Sequence, residues 1–157
     1  MQTKQARTRD TPLMEVTLRR YEKPIGLEQR ELVRKFCLGI GLLQPGDSRD
    51  VVVDVLLALL LAKKDQKLIS SEEINEQVIE LRKKYKLQQL GIAPSNIRRQ
   101  IKRLRDILLI EKIKNRYRII EFGNLNEHYD EKFSQFLLPT IVMRIKEYFN
   151  EIDQKFA

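Results

Sequence analysis

Leu90 to Glu121, LGIAPSNIRRQIKRLRDILLIEKIKNRYRIIE, is the stretch that decides how this chain is read. Its first half predicts a basic helix and its second half a basic β-hairpin. The helix, over 94–108, opens at Pro94, whose fixed φ is already helical and whose missing N–H falls where a helix leaves amides unpaired. Ile97, Ile101, Leu104 and Leu108 then recur at i, i+4, i+7 and i+11, a single apolar stripe. At about 100° per residue, the opposite side carries Ser95, Arg99, Lys102 and Arg103. Arg98 and Arg105 lie along one flank, Asn96 and Gln100 along the other. One face is built for burial and the other for something negative.

Residues 109–114 (LIEKIK) and 117–121 (YRIIE) are rich in β-branched side chains and predict two short strands, with Asn115 and Arg116 between them. Asn tolerates the left-handed backbone that a tight hairpin requires. Lys112, Lys114, Arg116 and Arg118 surround the tip. Residues 90–121 hold nine Lys and Arg against Asp106, Glu111 and Glu121, a net of +6. Residues 1–13, with Lys4, Arg7 and Arg9 against Asp10, add +2, which completes the +8 of the whole chain. The remaining residues together sum to zero, and charge localised in this way is the footprint of a polyanion-binding surface.

Gly91-Ile92, Ser95-Asn96-Ile97, Leu104 and the run from Leu109 to Lys112 resemble the recognition helix and wing of winged helix-turn-helix proteins. Archaeal winged-helix transcriptional regulators are the nearest in character, and the resemblance covers about residues 48–121. Two positions depart from the pattern. Ala93 stands where a Ser or Thr N-cap is usual, at a cost of about 1 kcal/mol. Ile107-Leu108 stand where a Gly is common. The resemblance implies a mainly α fold with a small β-hairpin wing, a core over 48–122 and flanking helices. It implies further that the 94–108 helix enters a duplex major groove. Ser95, Asn96 and Arg99 would reach base edges, while Arg98, Lys102, Arg103, Arg105 and the wing cations would hold phosphates.

Composition narrows the alternatives. With 42% apolar and 33% charged residues but only 6 Gly and 5 Pro, a chain of 157 residues predicts a helical, core-forming protein. Cys37 and His128 are the only residues of their types, which excludes a disulfide framework and the usual Cys/His zinc arrangements. Cys37 is expected to fill a helix face and His128 to be an ordinary surface residue. No Gly-rich phosphate loop, nucleophile–base pair or metal cluster is legible, so the expectation is no enzyme and no cofactor. Residues 1–13 lack the apolar core of a signal peptide, and the longest apolar run, Val51 to Ala62, is too short to span a bilayer. A cytoplasmic protein, associated with nucleoid or ribosome, is expected.

Along the chain, residues 1–13 read as a basic flexible tail or an arm that orders on phosphate. Residues 14–47 hold an approach segment, a helix over 27–40 burying Leu32, Val33, Phe36 and Ile40, and a turn at Gln44 to Asp47. Ser48 can cap a helix over 49–64 that is apolar on nearly every face, implying burial on several sides. Leu68-Ile69 can form a short first strand. Ser70-Ser-Glu-Glu73 is a capping box for a helix running to about Tyr85. Its last cations, Arg82, Lys83, Lys84 and Lys86, either complement the helix dipole or touch phosphate.

Residues 123–157 read as two helices, 127–137 and 140–156, broken or kinked at Pro139. Leu138, Ile141, Val142, Ile145, Phe149, Ile152 and Phe156 form a nearly heptad stripe with Tyr148 beside it. That stripe suits either packing on its own domain or, as favoured here, a homodimer. The sequence thus favours a dimeric DNA-binding transcriptional regulator. Two other readings stay open: an RNA- or ribosome-binding factor using the same basic surfaces, and a winged helix that only docks proteins.

Overall fold

The run VVVDVLLALLLA is the centre of the molecule. It forms helix α2, Val51–Lys64, and every residue from Val51 to Leu59 is buried. Helices α1 (Gln29–Gly39), α3 (Ser71–Lys84) and α4 (Pro94–Asp106) all pack against it. A two-stranded antiparallel hairpin, β1 (Ile110–Ile113) and β2 (Arg116–Ile119), closes the remaining side, and a helical arm follows from Leu125. The chain is therefore mainly α with a small hairpin, in the order the sequence predicts. This computed structural model describes residues 20–157, so the expectations for Lys4, Arg7 and Arg9 fall outside the described residues.

The Asp within that apolar run has a definite use. Asp54 is fully buried and accepts from Arg30 Nε at 2.9 Å and from Arg82 Nη1 at 2.8 Å. Asp50, one turn earlier, accepts from the same two guanidinium groups at 3.0 Å each. Two arginines and two aspartates thus neutralise one another between α1, α2 and α3. Burial favours the neutral form of Asp50, but the bonds from Arg30 and Arg82 outweigh it and hold its carboxyl below the usual range. Burial likewise opposes the charge on Arg30, and Asp54 and then Asp50 hold that group above its ordinary value.

This cluster revises three expectations. Arg82 is 2% exposed and is unavailable to phosphate. The α2 N-cap is Asp50 rather than Ser48, and it makes no side-chain cap bond because its carboxylate is taken by the arginines. On α1, the buried stripe runs Arg30, Val33 and Cys37, while Leu32 stays exposed, since the carboxylates draw Arg30 inward. Cys37 fills the core as expected, and burial pushes its thiol up to about 12.

All four of these helices end in the same manner. The residue just past each terminus has positive φ: Gly41 (78°), Gln66 (48°), Lys86 (55°) and Leu108 (61°). The amide after it reaches back to satisfy an end carbonyl, as in Leu87 N–H to Arg82 O at 2.8 Å and Leu109 N–H to Leu104 O at 3.1 Å. Only Gly41 suits this conformation without strain. The α4 helix accordingly stops at Asp106, two residues before its apolar stripe does.

The hairpin register is shifted from the predicted one. Ile113 pairs with Arg116, so the turn is Lys114-Asn115, with φ of 48° and 63°. A two-residue turn of this hand matches strand twist only when both central residues are left-handed. Leu68-Ile69 supplies no full strand but a single bridge: Ile69 N–H donates to Tyr117 O at 3.1 Å, and Tyr117 N–H to Ile69 O at 2.7 Å.

The C-terminal arm is continuous, where the sequence predicts a break or a kink at Pro139. It begins as α5, Leu125–His128, widens to a π-helix over Tyr129–Leu137 and continues as α6, Leu138–Lys155. Pro139 has no amide to give, and its ring would crowd the carbonyl of Gln135 in an α-turn. The wider π-turns upstream of it accommodate the ring without ending the helix. Thr140 Oγ1 caps the Phe136 carbonyl at 2.8 Å. His128, expected at the surface, is buried against Phe133 and hydrogen-bonds the Leu108 carbonyl, tying the arm to the end of α4.

Three stability predictions follow from these arrangements. Asp54→Ala leaves two buried guanidinium groups sharing one carboxylate and should cost about 3–5 kcal/mol in urea unfolding, a large part of a typical domain's stability. Because the folded pKa of Asp50 is depressed, its contribution is complete above the ordinary aspartate range and is lost as pH falls through the folded value. An acid titration of wild-type stability should show that loss. Conversely, Lys86→Gly should raise stability by about 0.5–1 kcal/mol, the relief of a left-handed side-chain residue less the entropy of the added glycine.

Candidate nucleic-acid interface

The face that α4 offers is fixed by what holds its N-terminus. Pro94 is the first helical residue and Ala93 provides no side-chain cap. In its place, side chains pin the preceding turn. Arg82 Nε donates to Gln88 O at 2.7 Å, Asn75 Nδ2 to Ile92 O at 2.7 Å, and Asn96 Nδ2 to Gly91 O at 2.7 Å. Gly91 is required here: its φ is +73°, and a Cβ would lie 3.0 Å from Asn96 Nδ2 and 3.4 Å from Val51. The buried ion cluster thus extends, through Arg82, to the entry of α4.

Ile97, Ile101 and Leu104 are buried, as the stripe predicts, but its last member, Leu108, lies past the helix end and is exposed, and Ile107 is buried in its place. Ser95, Arg98, Arg99, Lys102, Arg105 and Asp106 form the exposed face. Arg98 and Arg105 therefore belong to it rather than to a flank. Lys102 pairs with Asp106 at 2.9 Å, one turn away. Arg99 and Arg105 have no hydrogen-bond or ion-pair partner among the described residues. Arg98 sits over the acidic start of α3, sharing a cleft with Ser71, Glu72 and Glu76. Glu72 is held below the usual carboxylate range by its own backbone amide first, then by Ser71 and Ser70 and by the charge of Arg98.

The other flank is a relay of internal bonds. Gln100 donates to Asn96 at 3.1 Å, Arg103 Nη1 to Gln100 at 2.8 Å, and Arg103 Nη2 to the Leu42 carbonyl at 2.9 Å. Asn96 and Arg103 are half-buried, and their polar groups already have partners inside the fold. Placing Arg103 beside the α1–α2 connection is something that a helical wheel has no means of showing.

The hairpin divides its cations in the same way. Arg118 faces Glu111 across the ladder, with Nε donating at 2.6 Å, and lies over the Phe122 ring at 4.8 Å. Glu111 also accepts the Glu121 amide at 3.1 Å, which holds the turn where Glu121 and Phe122 adopt positive φ. Arg116 donates to the Leu68 carbonyl at 3.1 Å and pairs with Glu73 at 3.1 Å. Glu73 is in addition the capping-box residue that accepts from Ser70, so the α3 cap and the hairpin share one carboxylate. Lys114 at the tip is exposed without a partner among the described residues, and Lys112 lies over the Tyr117 ring at 5.8 Å.

The surface is thus a row of Arg99, Lys102 and Arg105 on α4, with Arg98 at its acidic edge and Lys112 and Lys114 on the hairpin. No family model, curated protein or solved structure matches the chain. Among the described residues, no helix is long and apolar enough to cross a membrane, and no group of three or more His, Cys, Asp and Glu is placed to hold a metal.

The two arginine environments can be separated by measurement. Arg103→Ala removes a charge-assisted bond to a backbone carbonyl and should lower unfolding free energy by about 1–2 kcal/mol. Arg99→Ala, at an exposed position, should stay within about 0.5 kcal/mol of wild type. Equal effects of the two would mean that Arg103 is as free of the fold as Arg99.

Proposed function

We propose that this chain is a winged helix-turn-helix protein that binds duplex DNA as a transcriptional regulator and is not an enzyme. In this reading α2, α3 and α4 are the three-helix core, the Ile69 bridge with β1 and β2 is the wing sheet, and α4 is the recognition helix. The observation that carries it is the exposed face of α4, where Ser95, Arg99, Lys102 and Arg105 lie along one side of a rigidly seated helix. At 13 residues that helix is about 20 Å long, and the B-form major groove, about 12 Å wide, admits it. The A-form major groove is too narrow for side-chain reading, which favours DNA over a structured RNA.

Within this reading, Arg99 and Ser95 reach base edges, the guanidinium suiting the paired acceptors of guanine. Lys102, Arg105, Lys112 and Lys114 hold phosphates and set register. Glu72 and Glu76 repel phosphate at the α3 edge, which turns the docked helix toward its Arg99–Arg105 side. Arg116 and Arg118 serve the wing's own geometry first.

Salt titration of binding to duplex DNA and to structured RNA, side by side, is the test. Four to six phosphate contacts should give a log–log salt slope of roughly −4 to −5 on DNA. Arg99→Ala should lose about 1–3 kcal/mol and relax preference at one base position. Lys114→Ala should weaken all sequences alike and reduce the slope by about 1. RNA outcompeting DNA at physiological salt, or DNA affinity unmoved by both substitutions, would overturn the proposal.

A further inference from the structure

The α6 helix has no buried residue of its own across 18 positions. Leu137 and Ile141 rest partly on the core, and beyond them the helix leaves it. Val142, Ile145, Phe149, Ile152 and Phe156 are between 52% and 84% exposed. With Leu138 these residues keep an unbroken 4-3-4-3-4 spacing, the a and d positions of a heptad repeat. A lone helix of this length is marginal in water, and helical stability in proteins comes mostly from packing of an apolar face.

We infer that α6 pairs with α6 of a second copy of this chain as an antiparallel two-stranded coiled coil. The occupant is a second copy because the seam is complementary to itself. Setting Ile145 of one copy against Phe149 of the other brings Val142 onto Ile152 and Leu138 onto Phe156, so all six positions are used at once. Each layer then places a β-branched or Leu side chain against a partner of different shape, and both aromatic layers set Phe against an aliphatic residue, the alternation that packs without voids. A parallel pair would stack Phe149 and Phe156 on their own counterparts. It would also bring the two basic faces to the same end, where their like charges repel.

The core supplies a second argument for the antiparallel sense. Leu138 lines an apolar cavity of about 180 Å³, together with Phe36, Leu109, Tyr129 and Phe133. In the antiparallel register, Phe156 of the second copy arrives at Leu138, beside that cavity. The same interaction then anchors the otherwise exposed end of one helix on the body of the other copy. This inference is independent of what the α4 face binds, because it uses no residue of that face.

Single-cysteine cross-linking of the full chain tests both partner and sense. Cys37 is buried and its thiol is not reactive, so it need not be removed. Tyr148 lies next to its own counterpart near the dyad of the antiparallel pair, whereas Ile152 faces Val142. Under mild oxidation Tyr148→Cys should form a covalent dimer and Ile152→Cys should not. The reverse pattern would mean a parallel pair and would overturn the proposed sense. Light scattering should give twice the chain mass for wild type and the single-chain mass for Ile145→Asp/Phe149→Asp. Both positions are exposed in the single chain, so the variant should still fold. A wild-type monomer would overturn the inference outright.

Discussion

Four charged side chains in the interior decide how the rest of this chain is arranged. Arg30, Asp50, Asp54 and Arg82 come from three helices and would each be costly to bury alone; the effective penalty is several kcal/mol per ion. Together they are neutral, and no buried side-chain nitrogen or oxygen among the described residues lacks a partner. An apolar core tolerates some sliding of helix on helix, since Leu and Val contacts are not directional. A bidentate guanidinium–carboxylate bond tolerates very little. The cluster thus gives α1, α2 and α3 one relative setting, and Arg82 passes it to Gln88 and the turn before α4.

The same rule of satisfaction sorts the cations of residues 90–121. Where a carboxylate or carbonyl lies within reach, the cation is bonded to the fold: Arg103 by Leu42 and Arg118 by Glu111, both half-buried, and the exposed Arg116 by Leu68 and Glu73. Where none does, it remains in solvent, as at Arg99, Arg105 and Lys114. A net charge of +6 therefore overstates the number of groups free to meet a polyanion. Exposed pairs such as Lys102–Asp106 are worth little in water and exchange readily for a phosphate. The bonded pairs of the flank and wing are more costly to exchange, since their release would also loosen the elements that they join.

Periodicity made much of this legible in advance. The α4 stripe, the all-apolar α2, the Ser70 cap and the existence of a hairpin are properties of local sequence, and each has its own spacing. What escaped was long-range or stereochemical. Arg30 and Asp54 are 24 residues apart, and Arg82 and Asp54 28, so only the misfit of an Asp in VVVDVLLALLLA hinted at a buried ion. The hairpin turn lies one residue earlier than the sequence predicts, because Lys114 gives no sign that it will adopt φ of 48°. The burial of His128 is not legible because its partner is a backbone carbonyl, which no side-chain pattern can announce.

The arm shows how one helix can serve two surfaces. Phe133, Leu137 and Ile141, four residues apart, face the core, while Val142 and Ile145 begin the exposed seam and the half-buried Leu138 touches both. The two rows are offset by one residue, about 100° around the helix. Contact with the core therefore does not consume the seam, and a second helix could lie along it while the first turns of the arm stay docked. Pro139 sits where the first row gives way to the second, and the π-turns before it let the helix pass that point intact. A break there would have separated the seam from the body of the protein. With the helix continuous, the orientation of the seam is fixed by the same packing that fixes Leu108, and hence by the end of α4.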